Sequence, residues 1–442
     1  MRASEQSAAT ARTGGHRSPR GALTCETPAA VVPGVVCLLA TALIAQSAPA
    51  DPGAKGAATE LAAAETAGSQ LLFDYDFEEA LEHYAAVSER FPEHPTGPYN
   101  IATTIWTRLA QRSNGMRGSS LRNDRFFSQQ GRPEAAPEEE AAFREHIEEA
   151  YRRGERLLER DPGDVVALYY LGATEALESG WAVIVDRAWF RAARQIRRGV
   201  GRHRRVQELD PGFRDAYAVP GAYDYGIATL PRPLRWLAFL FGVRGDREAG
   251  LEAVRITADE GRRARWGGLW THALLMQREE REDDALVAIR RLNRQFPKNP
   301  DFVLDEVSIL TALGDFEAAR ELAELVLERR EADYGNYRLA LPGLAEARLG
   351  EALLFAERWE EAEAVFSRGL AAHPNPEVRA ILHFRRGNAR DGAGKRGTAL
   401  TDYGRVVRGD ADKVLGEWAE DLRRAPWPEA APEGSLPGRR SE

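Results

Sequence analysis

The chain has 442 residues and only two cysteines, Cys25 and Cys37, both close to its start. The sequence after residue 40 therefore holds no disulfide, no cysteine nucleophile and no thiolate-ligated metal. Lysine is nearly as scarce. Lys55, Lys298, Lys395 and Lys413 are the only lysines among 60 basic residues. That arginine bias suggests coding in a GC-rich bacterial genome and carries no function. At 43% hydrophobic and 29% charged, the chain is too charged for a polytopic membrane protein and too apolar for a disordered one. The eight histidines are His16, His83, His94, His146, His203, His272, His373 and His383, and no two have metal-site spacing. There is no HExxH and no GxSxG. Gly392-Ala393-Gly394-Lys395-Arg396-Gly397-Thr398 lacks the order of a phosphate loop and follows a helical pattern, so it reads as a turn. Neither an enzyme nor a cofactor is expected. The net charge of −8 gives no pull towards nucleic acid.

The one long apolar run is Ala29 to Ala45, preceded by Arg2, Arg12, Arg17 and Arg20 and followed by Gln46-Ser47-Ala48-Pro49-Ala50. A basic stretch, an apolar stretch and small residues in that order form a secretory signal. Residues 1–50 are expected to be removed, which takes four arginines and two glutamates and leaves a charge of −10. Gly34-Val35-Val36 before Cys37 is a poor lipidation site. The alternative is an uncleaved anchor over residues 29–45. Either way the expected setting is the periplasm or envelope of a bacterium, which further disfavours nucleic acid.

From residue 58 the sequence reads as successive amphipathic helices with short Gly, Pro and Asp breaks, and no useful strand alternation. Phe77, Ala80, Tyr84, Val87 and Pro92 have the same spacing as Trp359, Ala362, Phe366, Gly369 and Pro374. Further copies begin at Ala150, Gly199 and Ala285, looser ones at Ala319 and Ala399, with Gly250 a further candidate, and Ala285 to Ala319 is a step of 34 residues. First-helix pairs of one type stand at Leu171-Gly172 and Leu349-Gly350, with weaker versions at Ile101-Ala102 and Arg386-Gly387; Gly350 and Gly387 lie 12 residues upstream of Ala362 and Ala399. A small residue lets two helices cross closely, and the aromatic four residues on covers the next turn of the same face.

These spacings resemble the tetratricopeptide repeat, a helix–turn–helix unit of 34 residues. The resemblance implies an all-α solenoid over residues 58–424 that acts as a protein-interaction scaffold. Residues 112–139 are expected to form an inserted loop, residues 226–247 an apolar insertion, and residues 425–442 a disordered tail. Tyr223-Asp224-Tyr225-Gly226, Leu230-Pro231, Leu234 to Leu237 and Gly242 to Asp246 are also similar to segments of uncharacterised exported bacterial tetratricopeptide proteins, over about residues 140–300. That similarity implies no activity.

Two segments stand out. Arg187 to Arg205 holds eight arginines and no acid. Arg187, Arg191, Arg194, Arg198, Arg202 and Arg205 form one helical stripe, and Trp189, Ala193, Ile196, Val200 and His203 an opposing apolar one. The basic stripe is either neutralised by Glu138–Glu140, Glu148 and Glu149, or free to meet an acidic partner or anionic lipid. Leu234 to Val243, flanked by Arg232, Arg235 and Arg244, is too short to span a bilayer. It either packs into the solenoid or lies as a wedge among lipid head groups.

Repeat register places Tyr99, Trp106, Tyr169, Tyr225, Trp270, Ser308 and Asn388 on the inner wall of the solenoid. The expected partner is therefore another protein or peptide. The alternatives are a membrane-peripheral assembly or trafficking factor that touches anionic lipid, and a groove that binds a small ligand or glycan.

Overall fold

The computed structural model describes residues 54–112, 135–240, 242–409, 413–429 and 431. The expected signal or anchor, residues 1–50 with Cys25 and Cys37, lies outside them, as does most of the expected 112–139 loop.

The described residues form helices and no strand. In chain order these are α1 (Ala54–Asp74), α2 (Phe77–Arg90), α3 (Thr96–Gln111), α4 (Pro137–Arg160), α5 (Val165–Ile184) and α6 (Trp189–Leu209). Next come α7 (Ala218–Ala228), α8 (Arg232–Leu240), α9 (Arg247–Glu260), α10 (Arg265–Arg278), α11 (Glu282–Gln295) and α12 (Pro300–Leu313). The last six are α13 (Phe316–Glu331), α14 (Leu344–Phe355), α15 (Trp359–Ala371), α16 (Pro376–Gly392), α17 (Arg396–Arg408) and α18 (Lys413–Arg424). Each packs mainly on its neighbours in sequence, giving the pairs α1–α2, α3–α4, α5–α6, α7–α9, α10–α11, α12–α13, α14–α15 and α16–α17, with α18 as the terminal helix. This is a tetratricopeptide-like α-solenoid.

Local chemistry sets the pairs. Three first helices open on Asp or Asn caps: Asp164 accepts from the amides of Val166 and Ala167, Asn299 from Asp301 and Asn375 from Val378. Pro300 and Pro376 occupy the first helical turn, where no amide is needed. Six of the turns inside pairs carry one left-handed residue: Tyr75, Arg187, Glu280, Gly314, Glu357 and Gly394. First helices are buried on most sides, as in α5, where Ala167 to Leu177 is buried without a break. Second helices bury one stripe, such as Ala285, Leu286, Ala288, Ile289 and Leu292 of α11. The small anchors Ala80, Ala285, Ala319, Ala362 and Ala399 are all fully buried. A Cβ on Gly350 of α14 would lie 2.3 Å from the ring of Phe366, so glycine there permits the close helix crossing.

The boundaries differ in detail from the sequence reading. Helix begins at Ala54 rather than residue 58. Residues 137–139 are the first turn of α4, where the Glu139 carboxylate accepts from the amide of Ala136 at 3.2 Å. The apolar insertion narrows to α8 and its flanks, because residues 226–228 complete α7 and Arg247 opens α9. The start of the tail is packed. Trp427 is buried, and its amide donates to Asp391 of α16 at 3.1 Å.

The first pair also meets the fifth and sixth. Phe73 stacks on Phe296 at 4.9 Å, and Asn299 Nδ2 donates to the Phe73 carbonyl at 2.7 Å. Tyr75 donates to Asp301 at 2.9 Å, and Asn336 to the Asp74 carbonyl at 2.8 Å. The array curls until its first turn seats against the α11–α12 turn.

Candidate binding surface

The inner wall is filled by the protein's own side chains. Arg263, on the turn between α9 and α10, is 2% exposed, with its guanidinium 5.0 Å from the Phe213 ring, 5.8 Å from Tyr169 and 5.9 Å from Tyr170. Asp215 fixes that turn by accepting from the amides of Arg262 at 2.7 Å and Ala264 at 2.8 Å. Glu65 of α1 supplies a negative charge nearby and accepts from Tyr170 and Thr96.

This corrects the expectation of an aromatic groove. Tyr99, Trp106, Tyr169, Tyr225 and Asn388 are all buried. Tyr99 meets Tyr170 edge-on at 5.5 Å, and Trp106 lies 6.2 Å from Trp181. Tyr225 donates to Glu279 at 2.7 Å, and Asn388 donates to the Tyr403 hydroxyl at 3.2 Å. Trp270 is half-buried against Phe302, and Ser308 donates to its own helix at Leu304. The same helical spacing serves a groove wall or a packed interior. Arg263 and the closure of the array decide for the interior.

The basic stripe is on the surface. Arg194, Arg197 and Arg198 are exposed, while Ile196, Val200, His203 and Val206 on the opposite side of α6 are buried. Trp189 and Ala193 are half-buried. Arg187 is not helical but sits in the α5–α6 turn with φ 51°. The acids expected to neutralise the stripe do other work: Glu139 pairs with Arg108 and Arg112, Glu140 with Arg144, and Glu149 with Arg152 and Arg153. The actual partners of α6 come from its own surroundings. Arg191 pairs with Asp186, Arg202 with Glu175 at 3.1 Å, Arg204 with Asp224 at 2.7 Å and Arg205 with Glu208 at 2.9 Å. The physical reason is that α6 packs on α5, with α7 on its other flank. Among the described residues, no acid lies in ion-pair reach of Arg194, Arg197 or Arg198.

Between α5 and α6 runs a groove of about 410 Å³, lined by Leu168, Glu175, Arg198, Gly201, Arg202 and Arg205. Glu175 is 2% exposed and forms its floor. Burial pushes its carboxyl up to about 7, against the opposing pull of Arg202 and Arg198. The groove is thus a basic channel with one titratable acid at its base. Glu175 is not among the residues expected from the sequence; its only signal there is a lone acid inside the apolar run Leu168 to Leu177.

The second exposed feature is α8. Trp236, Phe239 and Leu240 are 64%, 52% and 57% exposed, and Phe190 at the start of α6 is 95% exposed. Among the described residues, no group of three or more His, Cys, Asp or Glu side chains could hold a metal ion, and no helix is long and apolar enough to cross a membrane.

No family model matches the chain. Among solved structures it is similar to the crystal structure of yeast Tom70, with a TM-score of 0.37 and 11% identity, over 82% of this chain and 88% of that one. A likeness at that level bears on no site and no partner.

Proposed function

We propose that this protein is a non-enzymatic interaction scaffold of the bacterial cell envelope, exported through residues 1–50. In this reading it holds an acidic segment of another protein along the α5–α6 groove. Arg198 carries the proposal. It lines the groove unpaired among the described residues, whereas the neighbouring Arg202 is tied to Glu175. A guanidinium presents a planar fork that matches a carboxylate, and an exposed one is free to make that pair with a partner. The apolar stripe of α6 holds the fold, so the arginine side is available for binding.

The test is retention of envelope proteins by immobilised full-length chain and by the charge-reversal variant R198E/R205E. The expected result is a protein with an acidic segment that the wild type retains, that salt elutes, and that the variant releases. Equal retention by both proteins would defeat the assignment.

A further inference from the structure

We propose that α8, with Arg194 and Arg197 of the neighbouring α6, docks the solenoid on the surface of an anionic lipid bilayer. This goes beyond the scaffold reading: α8 and Arg197 lie off the α5–α6 groove, while Arg194 shares the helical stripe of Arg198 and Arg205.

The helix is nine residues long. At 1.5 Å per residue it spans about 14 Å, less than half of a hydrocarbon core of roughly 30 Å. It can lie in an interface but cannot cross it. Trp236, Phe239 and Leu240 stand at positions i, i+3 and i+4, and share one exposed face. Aromatic and leucine side chains on such a face bury among head groups and acyl ends. Among the described residues, α8 meets the rest of the solenoid mainly through α7. Arg244 lies over the Phe239 ring at 5.0 Å, which holds a cation beside the apolar face, as a side chain reaching for phosphate does.

Charge complementarity identifies the occupant. The chain carries a net −8, yet residues 225–245 contain no acid and three arginines, and residues 187–207 no acid and eight. Both segments flank α7. Arg204 pairs with Asp224, and the charge of Arg197 acts on Tyr223, which places α6 beside α7. From Ala228, the end of α7, to Arg232, the start of α8, is four residues, at most about 14 Å of chain. Around the α6 axis, Arg197 and Phe190 lie towards α7, whereas Arg198 and Arg202 lie towards the α5 groove. A second copy of this chain would bring like-charged arginines face to face across the apolar helix. An anionic bilayer offers negative charge at the rim and hydrocarbon at the centre.

The test is flotation of the full-length chain with extruded vesicles of phosphatidylglycerol and phosphatidylcholine in equal parts. Controls are phosphatidylcholine alone and a rise in salt from about 0.1 M to about 0.5 M. Wild type is expected to float with the anionic vesicles only, and less at high salt. W236S/F239S/L240S is expected to bind at least about tenfold more weakly with an unchanged circular dichroism spectrum, since all three side chains are exposed. R194Q/R197Q is expected to bind roughly 25-fold more weakly, at about fivefold per arginine near an anionic surface. W236F keeps the apolar face, so it should still float. It should also lose part of the fluorescence quenching that brominated lipid produces in wild type.

Three results would overturn the proposal. One is a wild type that does not float with anionic vesicles. Another is a triple serine variant that floats as well as wild type, which would assign any binding to residues outside α8. The third is a dimer, seen by sedimentation without vesicles, that the serine variant breaks, which would make α8 an interface between copies. The variants differ from R198E/R205E, so the lipid and scaffold readings can fail separately.

Discussion

Phe73 at the end of α1 stacks on Phe296 just after α11, with ring centroids 4.9 Å apart and planes at 27°. The two residues belong to the first and fifth helix pairs, so the contact fastens the curl of the array. Phe296 is fully buried. Phe296→Ala is expected to cost about 3–5 kcal/mol. Hydrogen exchange in α1 should accelerate together with that in α11 and α12, while α16 and α17 keep their protection. Unchanged exchange in α1 would show that the closure does not hold it.

The small positions of the repeat differ in why they are small. Ala362→Leu and Gly350→Ala are each expected to cost about 1–3 kcal/mol through overpacking, Gly350→Ala against Phe366. Gly314 has open space around it but φ 82°, so Gly314→Ala is expected to cost about 1–2 kcal/mol from left-handed strain alone. Gly397, in the first turn of α17, has neither constraint, and Gly397→Ala should be neutral or stabilising by up to about 1 kcal/mol. Thermal melts of the four variants check the order. Equal shifts at Gly350 and Gly397 would contradict the close crossing.

The repeat register was legible because packing forces it. Ala80, Ala362 and Ala399 must be small at a helix crossing, and Tyr84, Phe366 and Tyr403 must cover the next turn; all six are fully buried. The basic face of α6 was legible for a similar reason, since its apolar stripe had to point inward. The fate of Tyr99 and Tyr169 was not legible, because their helical spacing suits a groove wall and a core equally. Arg263 decides between them from a turn with no periodic signal. The partners of the arginines were misread because helix stacking, not acid content, sets which carboxylate is near. The closure on Phe296 involves residues too far apart in sequence to share any local pattern.

Asp402 ties α17 to α16, with His383 Nδ1 at 2.8 Å, Arg386 Nη2 at 2.8 Å and Arg390 Nη1 at 2.7 Å. Burial raises its carboxyl, but the hydrogen bonds from His383 and Arg386 and the charges of Arg386 and Arg390 outweigh it and hold it at about 2. The folded value is below the ordinary 3.8, so this stabilisation is complete above about pH 4 and is lost as pH falls through 2. It is worth about 2 kcal/mol at neutral pH. Asp402→Asn should cost about 3–5 kcal/mol at pH 7, because it leaves buried Arg386 without its carboxylate. The loss should shrink towards pH 2. A penalty independent of pH would contradict this.

Glu175 has the opposite sign. Its folded value of about 7 lies above the ordinary 4.5, so the folded protein takes up a proton between those values and stability falls as pH rises through them. Protonation removes the negative floor of the groove and releases Arg202. An acidic partner should therefore bind more tightly at pH 6 than at pH 8. Glu175→Gln should bind as tightly at pH 8 as wild type does at pH 6, with its pH dependence gone. Retention of the envelope partner across pH measures this, and a pH response that survives Glu175→Gln would contradict it.

The groove assignment is tested most directly by the dissociation constant of a fluorescent polyglutamate peptide, measured by anisotropy at low salt for wild type and R198E/R205E. Exposed ion pairs contribute little to folding, so the two proteins should melt within about 3 °C of each other. The expected result is saturable binding to wild type that weakens with salt, and binding to the variant weaker by at least roughly tenfold, given about 1.5–3 kcal/mol for a hydrogen bond to a charged group. Equal affinity for the two proteins, or no saturable binding to wild type, would contradict an acidic partner in the α5–α6 groove.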